Sequence, residues 1–381
     1  MLKLIIMLLL RIEKLRKILQ EKNLDGFLVS NFYNVLYLSG FKTLTENERE
    51  GWLLITTKKY YLFSDSRYLS FPRRRESRKL DPSIKSEDDV FVEKLITTEK
   101  GLIKHLQEIV VEEKIKNLGV EGDDLKLNEF NKLKQELKSV EIVPTEKLII
   151  KQREIKDKFE IEKIRKACQI ADKCLEDVVK TIKIGSSEKE IAFKIEFWLK
   201  EKNYDLAFYP IIAIDENSSV PHYNTRSGNN KKVKNGSVIL IDFGAKYQDY
   251  CSDITRMIFV GKPNNEVLNI YQKLLSAQQK TIKQFSNETI CKNLDSFCRQ
   301  QLTNSYSYPH STGHGVGLQV HEYPKISQTS IDTLQQNQIF TIEPGVYNEG
   351  KWGMRIEDTI LVKENKQIDV LTKFGKQPLI I

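Results

Sequence analysis

Two short hydrophobic runs dominate the middle of the second half of the chain. The first is β-branched and ends on Asp242, and the second begins directly after Asp253. The polar residues between them predict a hairpin whose midpoint lies between Tyr247 and Gln248. In that register Asp242 lies directly opposite Asp253, with both side chains on one face. Because like charges in this arrangement repel, the pair predicts a bound cation.

The same pattern recurs downstream. One hydrophobic strand ends on Glu343, and another follows Glu357. The turn residues between them, with Gly350 at the midpoint, predict a second hairpin that places the two glutamates opposite each other. Arg355, two residues before Glu357, is expected on the same face.

Three of the five histidines lie between the two hairpins, at His310, His314 and His321. One histidine combined with four carboxylates is an oxygen-rich ligand set, which suits two hard or borderline ions such as Mn²⁺ or Co²⁺. A single Zn²⁺ site usually contains more histidine or cysteine. The residues alone therefore predict a metal centre.

Helical periodicity precedes each hairpin. Apolar residues three or four apart predict a long amphipathic helix over residues 157–182. Ser187 and Glu190 form a capping pattern that predicts the start of a second helix, 188–202. A third helix is predicted over residues 266–285. This succession of helices and hairpins predicts an α+β fold.

The first part of the chain alternates helical and strand patterns and predicts a smaller α/β domain. Pro144 marks the expected boundary, which gives domains 1–143 and 144–381. Residues 71–86 break the pattern with two prolines and dense charge. This segment is interpreted as an inserted basic loop, with a docking site as the alternative.

Composition narrows the classes of function. The chain has 381 residues and a net charge of +8, of which residues 71–85 contribute +4 (six basic minus two acidic). The rest is only mildly basic and contains no nucleic-acid-binding motif, so no nucleic-acid partner is expected. Five cysteines without a CxxC pair favour reduced thiols and a cytoplasmic location. The apolar run of the first ten residues is too short to span a membrane, so no membrane partner is expected.

These segments resemble the pita-bread metallopeptidases, a family that includes aminopeptidase P, prolidase and methionine aminopeptidase. The resemblance is carried by IDFGAKYQDYCSDITR, STGHGVGLQVHE, TIEPGVY and GMRIED, and it covers roughly residues 145–381. Residues 11–145 resemble the creatinase-type N-terminal domain more weakly, through NVLYLSGF and SDSRY.

The resemblance implies a centre of two divalent ions, with Mn²⁺ favoured and Co²⁺ or Zn²⁺ as alternatives. Its implied ligands are Asp242 on one ion, His314 and Glu343 on the other, and Asp253 and Glu357 bridging both. Glu343 is also expected to take a proton from the attacking water.

The resemblance also implies residues that act on the substrate. His222 would contact the substrate, and His321 would hydrogen-bond the scissile carbonyl. His310, Arg355 and Tyr347 would line the substrate pocket. Together with Glu343, the first two histidines form the expected catalytic set.

The resulting expectation is an exopeptidase that hydrolyses the Xaa-Pro bond at peptide N-termini, an Xaa-Pro aminopeptidase. An Xaa-Pro dipeptidase (prolidase) is the alternative. The extra N-terminal domain disfavours methionine aminopeptidase. A metal-free pita-bread binding protein is disfavoured because all five ligand positions are present. The substrates would be peptides with proline at the second position, and the resemblance implies a homodimer.

Overall fold

A six-stranded sheet forms the N-terminal unit, Met1–Gln152, of this computed structural model. The second unit is Arg153–Ile381. The structure describes residues 2–68, 90–97, 100–285, 290–302 and 306–381. The basic loop predicted at 71–86 therefore lies outside the described residues.

The elements of the N-terminal unit alternate as its sequence pattern predicts. They are α1 Leu2–Glu21, β1 Gly26–Val29, α2 Phe32–Ser39, β2 Gly51–Thr56, β3 Lys59–Asp65, β4 Val90–Ile96, α3 Leu102–Glu112, β5 Asn117–Glu121, α4 Leu127–Glu136, β6 Glu141–Thr145 and α5 Leu148–Glu154. The strand order is β4-β3-β2-β1-β5-β6. The pairs β1–β2 and β2–β3 are antiparallel, and the others are parallel.

Helix α1 begins at Leu2, and apolar residues near its start continue its buried face. Met7 and Leu8 are buried together with Ile12 and Leu15. No helix in the described part of the chain is both long and apolar enough to cross a membrane.

The boundary predicted after residue 143 falls within β6. Pro144 occupies a strand position opposite Val120 rather than a linker. The position tolerates proline because β6 is an edge strand, where a missing N–H breaks no further ladder.

The second unit is a mixture of helices and short antiparallel strands. Its elements are α6 Lys158–Val179, α7 Glu188–Glu201, β7 Asp205–Leu206, β8 Ile211–Ile214, β9 Val238–Phe243, β10 Ala245–Tyr247, β11 Tyr250–Cys251, β12 Ile254–Phe259, α8 Asn265–Gln284, α9 Cys291–Gln301, β13 Gly313–Gly315, β14 Glu322–Ile326, β15 Ile339–Ile342, β16 Gly345–Asn348, β17 Trp352–Arg355, β18 Asp358–Val362, β19 Ile368–Val370 and β20 Leu379–Ile380. The expected α+β class is confirmed.

Two principal sheets build this unit, in the orders β20-β12-β9-β8 and β14-β13-β15-β18-β19. Helices α6 and α7 bury their apolar faces against β8, β9 and β12. Helix α8 packs on the opposite face of the same strands. The five cysteines are buried, and no disulfide joins any of them to another described residue.

The first hairpin differs from its predicted register. Thr255, not Asp253, lies opposite Asp242. The tip is formed by Gln248 and Asp249, which both have positive φ, of 46° and 72°. This two-residue turn matches strand twist and moves the midpoint one residue further along the chain. The prediction of a directly opposed aspartate pair is therefore wrong.

Candidate active site

Both hairpins change sheets, and three of their four predicted acidic ligands lie at the positions of change. Asp253 lies between β11 and β12, and Glu343 and Glu357 lie in the breaks between β15 and β16 and between β17 and β18. The first hairpin still gathers its two aspartates, because Asp253 is two residues before Thr255 and so shares the face of Asp242. The side chains meet diagonally instead of directly.

The second hairpin has its predicted register. Ile342 pairs with Asp358 on one side of the break, and Gly345 pairs with Arg355 on the other. Gly350 lies at the tip with φ 69°. The residues between these two pairs, Glu343 and Glu357, are consequently at matching positions.

His314 completes the cluster from β13. Its Nε2 lies 3.2 Å from Glu343 Oε1 and 3.6 Å from Asp253 Oδ2. Its Nδ1 lies 3.1 Å from the carbonyl oxygen of Gly315, which fixes the ring with Nε2 toward the carboxylates. Ligand atoms of Asp253, His314 and Glu357 all lie within 4.8 Å of one another.

The cluster carries more negative charge than its hydrogen bonds satisfy. One buried carboxylate oxygen of Asp242 and one of Asp253, Oδ1 in each, accept no hydrogen bond from the described residues. Burial and the neighbouring carboxylates raise the pKa of Asp253 and of Glu357 well above the ordinary range. Buried carboxylate oxygens that accept no hydrogen bond can coordinate a hard divalent cation, so these residues fit such an ion.

Glu343, which is paired with His314, differs from Asp253 and Glu357 because its pKa is lowered instead of raised. Burial works against the ionised form of Glu343, but the hydrogen bond and charge of His314, together with the charges of His310 and Arg355, outweigh it and lower the pKa to about 2. Glu343 Oε1 also accepts a hydrogen bond from Thr341 Oγ1 at 3.1 Å. Glu343 is therefore ionised across the neutral pH range.

Arg355, Tyr347 and His310 form a chain of hydrogen bonds beside the cluster. Arg355 pairs with Asp242 rather than with Glu357, and its Nη1 donates to Tyr347 Oη at 2.8 Å. The same hydroxyl lies 2.8 Å from His310 Nε2. Burial lowers the pKa of His310 to about 4, so this ring is neutral at pH 7.

The two remaining predicted histidines are the more exposed members of the site. The rings of His321 and His314 are in edge contact, with centroids 4.3 Å apart. Burial of the ring and the charge of His314 lower the pKa of His321 to about 4. His222 lies close enough to affect the pKa values of Asp242 and His310 through its charge. The predicted site residues are thus brought together.

The sequence interpretation missed two threonines that hold the glutamates. Thr255 Oγ1 donates to Glu357 Oε2 at 2.7 Å, and Thr341 bonds Glu343 as described above. The sequence could have indicated this role, because each threonine lies two residues from a predicted ligand. Side chains two residues apart on a strand lie on the same face. Only the fold shows that Thr255 serves a glutamate of the other hairpin.

Comparisons with known proteins agree with this geometry. Residues 162–364 match the model of metallopeptidase family M24, and residues 11–155 match the creatinase/prolidase N-terminal domain. The Xaa-Pro dipeptidase of Pyrococcus furiosus is 35% identical over 93% of this chain and 95% of its own length.

Solved structures give the same result. The Xaa-Pro dipeptidase of Bacillus anthracis has a TM-score of 0.85 and 31% identity, covering 98% of this chain and all of its own. The X-Pro aminopeptidase of Thermotoga maritima has a TM-score of 0.81 and 31% identity, covering 94% and 98% respectively. The pita-bread and creatinase-type domains expected from the sequence are confirmed. The chain therefore belongs to metallopeptidase family M24: it is an enzyme, a peptidase of a family that binds divalent metal ions.

Proposed function

We propose that this protein is an Xaa-Pro dipeptidase, which hydrolyses the bond between an N-terminal residue and a C-terminal proline. The observation that carries the proposal is the buried cluster of carboxylates around His314, with two oxygens that lack a proton donor. The names of the Pyrococcus and Bacillus relatives support the dipeptidase. They favour it over the aminopeptidase that was the first expectation from the sequence.

The ligand set fits two divalent ions, and its oxygen-rich composition favours Mn²⁺ over Zn²⁺. The residues that would hold the ions are Asp242, Asp253, His314, Glu343 and Glu357. When bound, the ions would supply Lewis-acid chemistry that polarises the scissile carbonyl and acidifies water.

Protein side chains act on the attacking water and on the substrate. Glu343, ionised at neutral pH, accepts the proton of the attacking water on a carboxylate oxygen. His321, neutral at neutral pH, donates its ring N–H to the oxygen that becomes negative as the carbonyl is attacked. His222 contacts the substrate at the rim, and Tyr347 and His310 line the wall of the pocket.

Lys325 supports a substrate that ends at proline. It lies opposite His314 in the β13–β14 pair, and its charge acts on His321. Lys325 is exposed, and no ion pair joins it to a carboxylate in the described part of the chain. Because a dipeptide carries its free carboxylate directly on proline, this ammonium group is available to bind it.

An Xaa-Pro aminopeptidase is the second candidate, and the likeness to the Thermotoga structure favours it. Such an enzyme accepts a chain that continues beyond proline, so its substrate has an amide where the dipeptide has a carboxylate. The two candidate activities therefore differ in whether the positive charge of Lys325 contributes to substrate binding.

The test is product chromatography after Mn²⁺-loaded protein is incubated with Ala-Pro, Ala-Pro amide and Ala-Pro-Ala. We expect Ala-Pro to be cleaved at the highest kcat/KM, and Lys325→Met to raise its KM about tenfold through the lost charge pair. Lys166→Met, on the exposed face of α6, is the matched control. Preferred cleavage of Ala-Pro-Ala would establish the aminopeptidase instead, and cleavage of none would end both proposals.

A further inference from the structure

A fully buried carboxylate outside the metal cluster anchors the loop that carries His222. Glu188 follows the N-cap of α7 and is 0% exposed. Its Oε1 accepts hydrogen bonds from Ile214 N and Asn217 Nδ2, both at 2.8 Å. Its Oε2 accepts from Lys231 N and Tyr223 Oη, both at 2.9 Å. One donor, Ile214, lies directly before the loop of residues 215–231, two lie within it, and the fourth, Lys231, is its last residue.

Burying the carboxylate of Glu188 costs free energy unless its oxygens accept enough hydrogen bonds. A carboxylate removed from water must be compensated by several donors, and Glu188 has four. None of them is a charged side chain, so the contact is not an ordinary ion pair. The carboxylate instead joins three separated points of one loop to the first turn of a helix.

Two of the four residues that donate to Glu188 lie close to His222 in the sequence. Tyr223 is its neighbour in sequence, and Asn217 lies five residues before it. Burial, and then the hydrogen bond to Glu188, raise the pKa of Tyr223 to about 12, so its hydroxyl remains a donor at all ordinary pH values. Gly228 leaves the space that this hydroxyl occupies, since a Cβ there would collide with it.

The rest of the loop is attached to the active-site strands. Ser218 Oγ accepts a hydrogen bond from Gly353 N at 2.8 Å on β17. The carbonyl oxygen of Pro221 accepts from Arg355 Nη1 at 3.3 Å. His222 therefore lies between an anchor at α7 and an anchor at the strand of Arg355.

We propose that Glu188 is a positioning residue for substrate binding: through Tyr223 and Asn217 it fixes the loop that presents His222 to the substrate. The inference rests on the proposed function, because it takes His222 to contact the peptide. It predicts that loosening the anchor weakens substrate binding and leaves the metal ligands in place, since none of them belongs to this loop.

The experiment uses Tyr223→Phe, which removes one hydroxyl and keeps the ring. For Ala-Pro we expect KM to rise about fivefold with kcat within about twofold of the parent, as expected when a binding contact is lost. Mn²⁺ affinity measured by calorimetry should be unchanged. Tyr61→Phe removes the same kind of bond, from Tyr61 Oη to Glu113 at 2.9 Å in the N-terminal unit, and is the matched control.

A double-mutant cycle separates positioning from general support of the fold. In a His222→Ala background, Tyr223→Phe should change KM no further, because the residue it positions is gone. An equal, additive effect in both backgrounds would overturn the proposal. So would a loss of Mn²⁺ affinity that accounts for the change in activity.

Histidine-selective NMR makes the test independent of the substrate. With the signal of His222 identified from the His222→Ala variant, Tyr223→Phe should shift or broaden that signal and leave those of the other histidines in place. An unshifted His222 signal would refute the positioning role. If the parent cleaves no Xaa-Pro peptide, the proposed function fails, while this signal still decides whether Glu188 fixes His222.

Discussion

At the scale of single residues, the active-site carboxylates are placed against their own electrostatic preference. Asp253 and Glu357 are buried beside other acids, and burial followed by repulsion from the neighbouring carboxylates raises the pKa of each. Buried acids of this kind usually lower the stability of the metal-free protein but serve its activity, because the cation that relieves their repulsion also takes part in catalysis.

Asp253→Asn is therefore expected to stabilise the metal-free protein while abolishing activity. An amide removes a charge whose pKa is raised on folding, so the parent loses stability as pH rises above about 4 and the variant does not. We expect a gain of about 1–3 kcal/mol in the free energy of unfolding at pH 8. Urea denaturation with a chelator measures it, and a less stable variant would contradict the account.

Glu322, next to His321, has the opposite behaviour. Burial disfavours its charge, but Arg153 and Lys156 outweigh burial and lower its pKa to about 2. A depressed pKa adds stability that is present above the ordinary value near 4.5 and lost as pH falls toward 2.

Glu322→Gln should therefore cost about 3 kcal/mol at pH 7, and the difference from the parent should shrink between pH 4.5 and 2. Urea denaturation at pH 7, 4 and 3 measures the trend. Glu162→Gln, an exposed position on α6, should show no such dependence. A difference that stays constant over this range would refute the assignment.

At the scale of elements, buried carboxylates repeatedly hold the segments that carry the site. Asp295 on α9 is 0% exposed and accepts hydrogen bonds from Thr312 N at 3.1 Å and Thr312 Oγ1 at 2.8 Å, between His310 and His314. Asp358, the neighbour of Glu357, is held by Arg256 at 2.7 Å. A buried backbone N–H needs an acceptor, and Asp295 supplies one to the loop between His310 and His314.

Close packing of strands sets a second constraint. A Cβ at Gly313 would collide with the carbonyl oxygen of Thr341 on β15. Gly313→Ala should thus push β13 from β15 and displace His314, with a loss of about 1–3 kcal/mol in stability and a weaker affinity for Mn²⁺.

Thermal unfolding and Mn²⁺ titration of Gly313→Ala measure both effects. Gly101→Ala is the control, because no atom of the described residues lies within 4 Å of its Cβ position and its φ of −78° suits alanine. If Gly313→Ala binds Mn²⁺ as the parent does, the close approach does not fix His314.

At the scale of the whole molecule, the five proposed metal ligands lie in one unit only. All five belong to Arg153–Ile381, and the N-terminal unit has its own core around Leu54, Phe63 and Leu118. Metal binding should stabilise only the unit that contains the ligands, by mass action.

Calorimetry is expected to show two transitions, of which only one moves to higher temperature with Mn²⁺. In Asp253→Asn neither should move. A single transition that shifts as a whole would show that the two units unfold together. In that case the metal would stabilise the entire chain.

The sequence by itself determined the main helices and strands and which residues are candidates for the metal site. Short hydrophobic runs ending on an acidic residue predicted the strands that lead to Asp242 and Glu343. The Gly350 turn specified the register of the second hairpin, because that loop is short and has its glycine at the midpoint. Helical periodicity predicted α6 within three residues at each end. These features are local, so neighbouring residues suffice to specify them.

Only the tertiary structure decided which residues from separate elements meet. The first hairpin was misplaced because two left-handed residues, Gln248 and Asp249, form its tip, and neither is glycine. The bond from Thr255 to Glu357 spans 102 residues, and that from Tyr223 to Glu188 spans 35. Such contacts depend on how strands and helices pack, which no local pattern encodes, and they hold the reactive groups in place.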